Sequence, residues 1–251
     1  YTPIYVWYGY PDATGTESKT NVWVNAYAIY HLEDTSDSSG NTRTLTDSGV
    51  TFDTGIVGKG ATGFSNTKYL KRASWGFSTT RANNARTTMV WVKPTNHSTA
   101  RTIMVCRTSN GVASGQQYQI TATGYNINTY PTDGYYSSIG GSSSSTNFEL
   151  LTSVSTAGTT LYAYLNGDNP TSTTTFTSYS YSNDEMWIGE DRVWTAPLLS
   201  TDIVDEVWCF TDAKTDDWLK AVYNNVQNYS TFITIDGAVN VGNSAPNKPT
   251  I

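Results

Sequence analysis

Three acids stand inside a stretch that otherwise reads as a β-strand. The stretch is TDIVDEVWCF, residues 201–210, and it sets Asp202, Asp205 and Glu206 among Ile203, Val204, Val207, Trp208, Cys209 and Phe210. Carboxylates this close could be the catalytic pair of a glycosidase, part of a metal site, or hydrogen-bonding residues of a strand with no chemistry. A retaining pair needs its carboxyls about 5–5.5 Å apart, and an inverting pair roughly 6.5–9.5 Å. Strand side chains alternate between faces, so Asp202 and Glu206 share one face and Asp205 takes the other. Four residues of strand span about 13 Å, too far for a retaining pair and long even for an inverting one. A bulge would alter this register, and nothing in the sequence asks for one. Asp205 and Glu206 are therefore expected to be structural, bonding to backbone at a sheet margin.

Other groups with chemical potential are sparser. Asp184/Glu185 and Glu190/Asp191 flank MWIG, and neighbouring acids on opposite faces suit exposure better than a shared proton. The two histidines, His31 and His97, are far apart in sequence, and no Gly-x-Ser-x-Gly nucleophile motif or Cys/His transition-metal spacing occurs. Cys106 and Cys209 lie mid-strand, as two buried thiols or as one bridge if their Cα atoms come within about 7 Å. Calcium takes carboxylates and carbonyls, and LEDTSDSSGN offers Asp34, Asp37 and Asn41 in a loop-like run. The same run also reads as an Asx-rich turn without metal. Sugars stack on aromatic faces ringed by amide, carboxylate and guanidinium groups. The richest such cluster is the loop-like run TGYNINTYPTDGYYSS (123–138), with Tyr125, Tyr130, Tyr135 and Tyr136 beside Asn126, Asn128 and Asp133. GEDRVWTAP (189–197) adds Arg192 and Trp194. Exposed tyrosines also mark protein interfaces, so packing against a neighbouring subunit is the competing reading.

The elements that must carry these groups are β-strands. Hydrophobic residues make up 37% and charged residues 14%, while aromatics reach 13%, with 18 Tyr and 8 Trp. A disordered chain would lack those aromatics. Half-buried strands take them, with Ser, Thr, Asn and Gly in the turns. TTMVWVKP alternates Met89, Trp91 and Lys93 against Val90 and Val92, and TLYAYLNGD alternates Leu161, Ala163 and Leu165 against Tyr162 and Tyr164. Asn166-Gly167 predicts a type I′ hairpin. The glycines of GIVGKGATGF suit tight turns and close backbone approach rather than a phosphate. One helix is predicted over 215–225, capped by Thr215, with Asp216 and Asp217 in its first turn and an apolar stripe of Trp218, Leu219, Val222 and Tyr223. SSIGGSSSSTN (137–147) reads as a flexible loop and GNSAPNKPTI (242–251) as an interdomain linker. The net charge of −6, with no basic run, argues against nucleic acid, and no apolar run approaches a membrane helix. Tyr1 begins at once in strand-like sequence, so the chain reads as a piece of a longer protein.

Residues 28–227 resemble the LamG-like members of the concanavalin A-like lectin/glucanase superfamily. The resemblance rests on AIYHLED, GIVGKGATGFSNTKYL, TTMVWVKP, LYAYLNGD, MWIGED and DIVDEVWCFTDAKTDDWLKAVYNN, in the family's order. His31-Leu32 stands where the family often has an aromatic pair, and Glu190 where it often has Arg. Residues 1–25, with WYGYPDA, resemble the last strand of an uncharacterised domain that precedes such modules in surface proteins. The resemblance implies an all-β, antiparallel jelly-roll sandwich of two sheets with one short C-terminal helix. Its expected organisation is a terminal strand of a preceding domain (1–25), the LamG-like jelly roll (26–228), and a C-terminal strand and linker (229–251). The expected function is a non-catalytic recognition or adhesion module on an extracellular, cell or virion surface, binding glycan and holding calcium. A structural subunit of a fibre, filament or tail appendage, pairing with neighbouring copies through strand 1–10 and tail 229–251, is the alternative, and a glycoside hydrolase the second alternative. Neither nucleic-acid partners nor membrane insertion are expected.

Overall fold

The computed structural model describes residues 19–77, 85–107, 115–130, 137–139, 141–156, 160–168, 170, 172–175, 185–191 and 196–227. The strands are β1 (Ala26–Tyr30), β2 (Thr46–Asp47), β3 (Thr51–Thr54), β4 (Lys59–Thr62), β5 (Leu70–Ala73), β6 (Arg86–Lys93), β7 (Arg101–Arg107), β8 (Gly115–Thr121), β9 (Gly124–Tyr130), β10 (Ser137–Ile139), β11 (Glu149–Ser155), β12 (Thr160–Leu165), β13 (Ser172–Thr175), β14 (Glu185–Ile188) and β15 (Ile203–Phe210). The helices are α1 (Lys19–Val22), a single turn, and α2 (Asp216–Gln227). The first sheet runs β13-β12-β11-β6-β15-β4-β3, with β1 also paired to β15, and the second runs β10-β9-β8-β7-β14-β5-β2. The named strands pair antiparallel throughout, giving the two-sheet sandwich expected of the sequence.

Alternation within strands builds two apolar layers. Val90, Val92, Leu161, Ala163, Tyr118, Ile120, Ile127 and Ile188 fill the space between the sheets. Met89, Trp91, Trp208 and Phe210 face the other way, beneath Trp218, Val222, Tyr223 and the fully buried Leu219 of α2. The Trp91 and Tyr223 rings stack at 5.6 Å. Thr215 caps α2 through Oγ1, which accepts the Trp218 N–H at 3.3 Å. The first sheet is thus apolar on both faces. The second sheet is apolar on its inner face and mixed on its outer one, where the buried Val105 and Trp187 stand beside polar residues.

Two runs differ from their sequence reading. Ser137–Ile139, expected as loop, pair with β9 as an edge strand. Ladder pairing uses backbone groups and needs no apolar side chain, so a Ser-rich run can join an edge. TGYNINTYPTDGYYSS was expected as loop, yet Gly124–Tyr130 form β9. Its period-2 pattern, Tyr125 and Ile127 against Asn126 and Asn128, is hidden within a turn-like composition. Cys106 and Cys209 are free thiols lining the core from opposite sheets, and burial pushes the Cys106 thiol up to about 12. Strand 1–10 and tail 229–251 lie outside the described residues.

Candidate functional site

Asp202, Asp205 and Glu206 are all buried and all hydrogen-bonded. Val204 and Val207 both face the inter-sheet core, with two residues between them rather than one. The cause is a β-bulge: β15 slips against β6 between Asp205 and Trp208, and Glu206 adopts a left-handed φ of 50°. Asp205, opposite Trp91, and Glu206 therefore lie together on the outer side, which corrects the expectation of opposite faces. Asp205 Oδ2 accepts the N–H groups of Ile56 (2.8 Å) and Val57 (3.1 Å). Glu206 accepts from Trp208 Nε1 at 2.6 Å and meets His31 Nδ1 at 2.8 Å. Asp202 accepts the N–H groups of Thr95 and Leu199 and pairs with Arg101 Nε at 3.1 Å. All three are at most 2% exposed, so none offers a free oxygen at the surface for a substrate. Gly60 of β4 serves this packing: a Cβ there would meet the Val204 carbonyl oxygen at 3.0 Å.

The calcium run is a loop closed by its own backbone. Asp37 Oδ1 accepts N–H groups from Ile29 (3.0 Å) and Ser39 (2.9 Å), and its Oδ2 accepts from Arg43 (3.0 Å). These bonds hold its carboxyl below the usual range against the opposing effect of burial. Asn41 Nδ2 donates to the carbonyls of Ala26 and Tyr27, and Asp34 accepts the N–H of Ser36 at 2.6 Å as an Asx turn. Among the described residues, no group of three His, Cys, Asp or Glu is placed to hold a metal.

The sugar set divides. Tyr125 is a core residue, 3% exposed, whose hydroxyl donates to Glu149 Oε2 at 2.8 Å across the sandwich. Its assignment to a ligand is therefore corrected: the inward face of β9 claims it. Asn128 stands on the outward face of the second sheet. That face carries a continuous cross-strand row, Lys71–Trp187–Val105–Gln117–Asn128–Ser138. Beside it runs a second pairing, Thr102–Gln119–Asn126. Asn128 Nδ2 donates to Gln119 Oε1 at 2.5 Å. Gln117 Nε2 donates to Asp191 Oδ2 (2.7 Å) and Thr102 Oγ1 (2.9 Å), and Thr102 Oγ1 donates to the same Asp191 oxygen (3.2 Å). At the other end Trp187 lies between Tyr69, at 4.5 Å, and the Lys71 ammonium, and donates Nε1–H to Glu185. Glu190 and Asp191, expected to be exposed, are buried at 5% and 1%. For Asp191 the reason is that Gln117 and Thr102 supply the donors a buried carboxylate requires.

This polar row is what the sequence reading missed. It ties together two places in the chain. Asp191 immediately precedes Arg192 and Trp194, and the chain returns at Ala196, whose carbonyl accepts the Thr102 N–H at 3.0 Å. Asn128, paired to Gln117, lies two residues before Tyr130, the last residue of β9 and partner of Gly115. Asp133, Tyr135, Tyr136, Arg192 and Trp194 lie outside the described residues, as does the side chain of Tyr130. A buried row of amides, hydroxyl and carboxylate can do no bond-breaking chemistry at the surface. It can hold the backbone at Asp191 and at Asn128 in fixed relation, which is what a preformed recognition surface needs.

No family model matches the chain, and no curated protein matches its sequence. Solved structures do match its fold. The receptor-binding domain of botulinum neurotoxin C/D mosaic serotype superposes with a TM-score of 0.66 at 13% identity, covering 80% of this chain and 51% of that one. The serotype D ligand-binding domain in complex with N-acetylneuraminic acid gives 0.66 at 13% identity, over 83% and 53%. Domain 4 of a GH43 extracellular arabinanase from Geobacillus stearothermophilus, in complex with arabinotriose, gives 0.62 at 18% identity, over 79% and 98%. The chain thus spans about half the length of the toxin domains and nearly all of the arabinanase domain. At these identities the likeness establishes the sandwich fold. Among the described residues no helix is long and apolar enough to cross a membrane.

Proposed function

We propose that the chain is a non-catalytic, LamG-like recognition module of an extracellular or virion surface, binding glycan on the outer side of the second sheet. One observation carries this reading: the Asn128–Gln117–Asp191 connection holds β9 and Asp191 together, and along the sequence these two places run directly into the two aromatic-rich segments whose residue types suit sugar. Tyr130, Asp133, Tyr135 and Tyr136 form one contributor, Arg192 and Trp194 the other. Two of the fold's neighbours were solved with saccharides, N-acetylneuraminic acid in one and arabinotriose in the other, which supports a sugar as the first ligand to try. The burial of Asp202, Asp205 and Glu206 supports binding over hydrolysis.

The test is a glycan array and a polysaccharide affinity gel, run with calcium and with chelator. The wild-type chain is expected to be retained on at least one glycan. Trp194→Ala and Arg192→Ala are each expected to cost about 2 kcal/mol, roughly thirtyfold in Kd, as central aromatic and guanidinium anchors do. Gln117→Leu is expected to weaken binding without touching ligand, by releasing Asp191. Failure to bind any glycan under either condition overturns the reading. Retention that requires calcium would assign the ion a role at Asp34, Asp37 and Asn41, to be checked with Asp34→Asn.

A further inference from the structure

A second cluster of titratable groups lies on the other sheet, where the end of β1 meets the bulge of β15. The His31 ring spans both Glu206 oxygens, with Nδ1 at 3.0 and 2.8 Å. The Glu206 side chain is 2% exposed, and that of His31 is 36% exposed. Trp23 covers the pair, its ring 5.8 Å from His31 and 5.2 Å from Trp208. Asp205 lies beside Glu206, its Oδ2 on the N–H groups of Ile56 and Val57 and its Oδ1 on the N–H of Glu206 at 2.8 Å. Ile56 and Val57 form the β3–β4 turn, closed by the Gly55 N–H on the Gly58 carbonyl at 3.1 Å. The Glu33 carboxylate lies against the same turn, where a Cβ on Gly58 would strike it, and its charge favours the protonated imidazole. Glu206 bonds the imidazole directly, and the charges of Glu206, Asp205 and Glu33 all favour its protonated form.

The backbone marks the same place. Leu32, next to His31, has φ 54°, and Glu206 has φ 50°. Left-handed conformations at residues with a side chain are unfavourable and persist only where the surroundings impose them. Glu206 is imposed by the bulge and by its two donors. One of those donors, the imidazole, is a cation only while it holds a second proton.

We propose that His31, Asp205 and Glu206 form a proton-operated latch that fastens the β3–β4 turn and the segment following β1 to the bulge of β15. In the closed state the imidazolium pairs with Glu206, and Asp205 is a neutral acid whose carbonyl oxygen still accepts from the turn. As pH rises, two protons leave to water, one from the imidazolium and one from the Asp205 carboxyl. Two buried carboxylates then sit side by side without a cation, and the turn loosens. The titration runs in the required direction at both groups. The Glu206 hydrogen bond raises His31, so its stabilisation is complete below about 6.5 and is lost as pH climbs through the higher folded value. Burial, with Glu206 adding to it, pushes Asp205 up to about 7 against its backbone N–H bonds. An acid raised by folding binds its proton more tightly in the folded state, so its contribution also falls as pH rises from about 4 through 7.

Hydrogen exchange at the amides of Ile56 and Val57 reads the latch directly, after correction for the intrinsic pH dependence of exchange. In the wild-type chain their protection, relative to the β11 amides, is expected to fall about tenfold between pH 5.5 and pH 8.5. Asp205→Asn, which keeps an accepting oxygen and removes the charge, is expected to hold protection at pH 8.5. His31→Gln is expected to give low protection at both values. Equal wild-type protection at the two pH values overturns the proposal, as does an Asp205→Asn chain with the wild-type pH dependence. If His31→Gln fails to fold, the proton resonance of the His31 ring decides instead: a midpoint at or below that of a free imidazole overturns the latch, and a raised midpoint supports it.

Discussion

A buried carboxylate is best tolerated in this molecule where a cation joins its backbone donors, and Arg101 with Asp202 is the fullest case. Both side chains are at most 1% exposed. Asp202 takes Arg101 Nε and two backbone N–H groups, while the Arg101 Nη atoms donate to the side chain and carbonyl of Asn96. Removing one partner of such a pair leaves the other charge uncompensated in a low-dielectric site. Arg101→Ala is therefore expected to destabilise the chain by about 3–5 kcal/mol, measured by urea denaturation. The acids of this corner and of the bulge could be named from the sequence, and so could a structural role. Their donors could not. Ile56, Arg101 and His31 are 149, 101 and 175 residues from the acids they serve. Tyr125 shows the opposite failure: it was placed with the sugar-type residues because of its neighbours, whereas the strand face on which it stands puts it in the core.

Elements with local codes were legible. Asn166 and Gly167 take φ 60° and 64°, the type I′ pair that an Asn-Gly dipeptide predicts, and α2 starts one residue after its capping Thr215. Yet the turn is constrained by more than its own angles. A Cβ on Gly167 would lie 2.7 Å from the Leu219 carbonyl oxygen, so α2 rests on the hairpin. Gly167→Ala is expected to cost more than the roughly 1–2 kcal/mol of a left-handed residue alone. A thermal melt against Asn166→Ala, which bears only the local penalty and the loss of its bonds to Leu150 and Glu149, measures the difference. β10 and β9 were not legible, because edge pairing and a polar outer face both lower the apolar content by which strands are recognised. The bulge at Glu206 was not legible either. A run of six strand-forming residues around two acids gives no local sign that one position must turn left-handed.

Across the whole molecule, the first sheet is shared by two apolar layers, the inter-sheet core and the layer under α2. A sheet packed on both faces couples those layers, so unfolding is expected to be one transition. Leu219→Ala should lower stability by about 2–5 kcal/mol while far-UV dichroism and tryptophan fluorescence still melt together. Separate transitions would mean that α2 and its layer form an independent unit. Composition, alternation and turn residues by themselves determined that this protein is built of antiparallel strands, as a sandwich or a barrel, with one capped helix, and that aromatic and amide residues gather in two particular segments. Those are properties of neighbours along the chain, where period and backbone preference act. Tertiary structure alone decided which acids lie side by side, which tyrosine is core, and that Asn128, Gln117 and Asp191 lock one sheet face into a continuous row. Each of these depends on register between distant strands, and a single extra residue in one strand turns every later side chain to the other face.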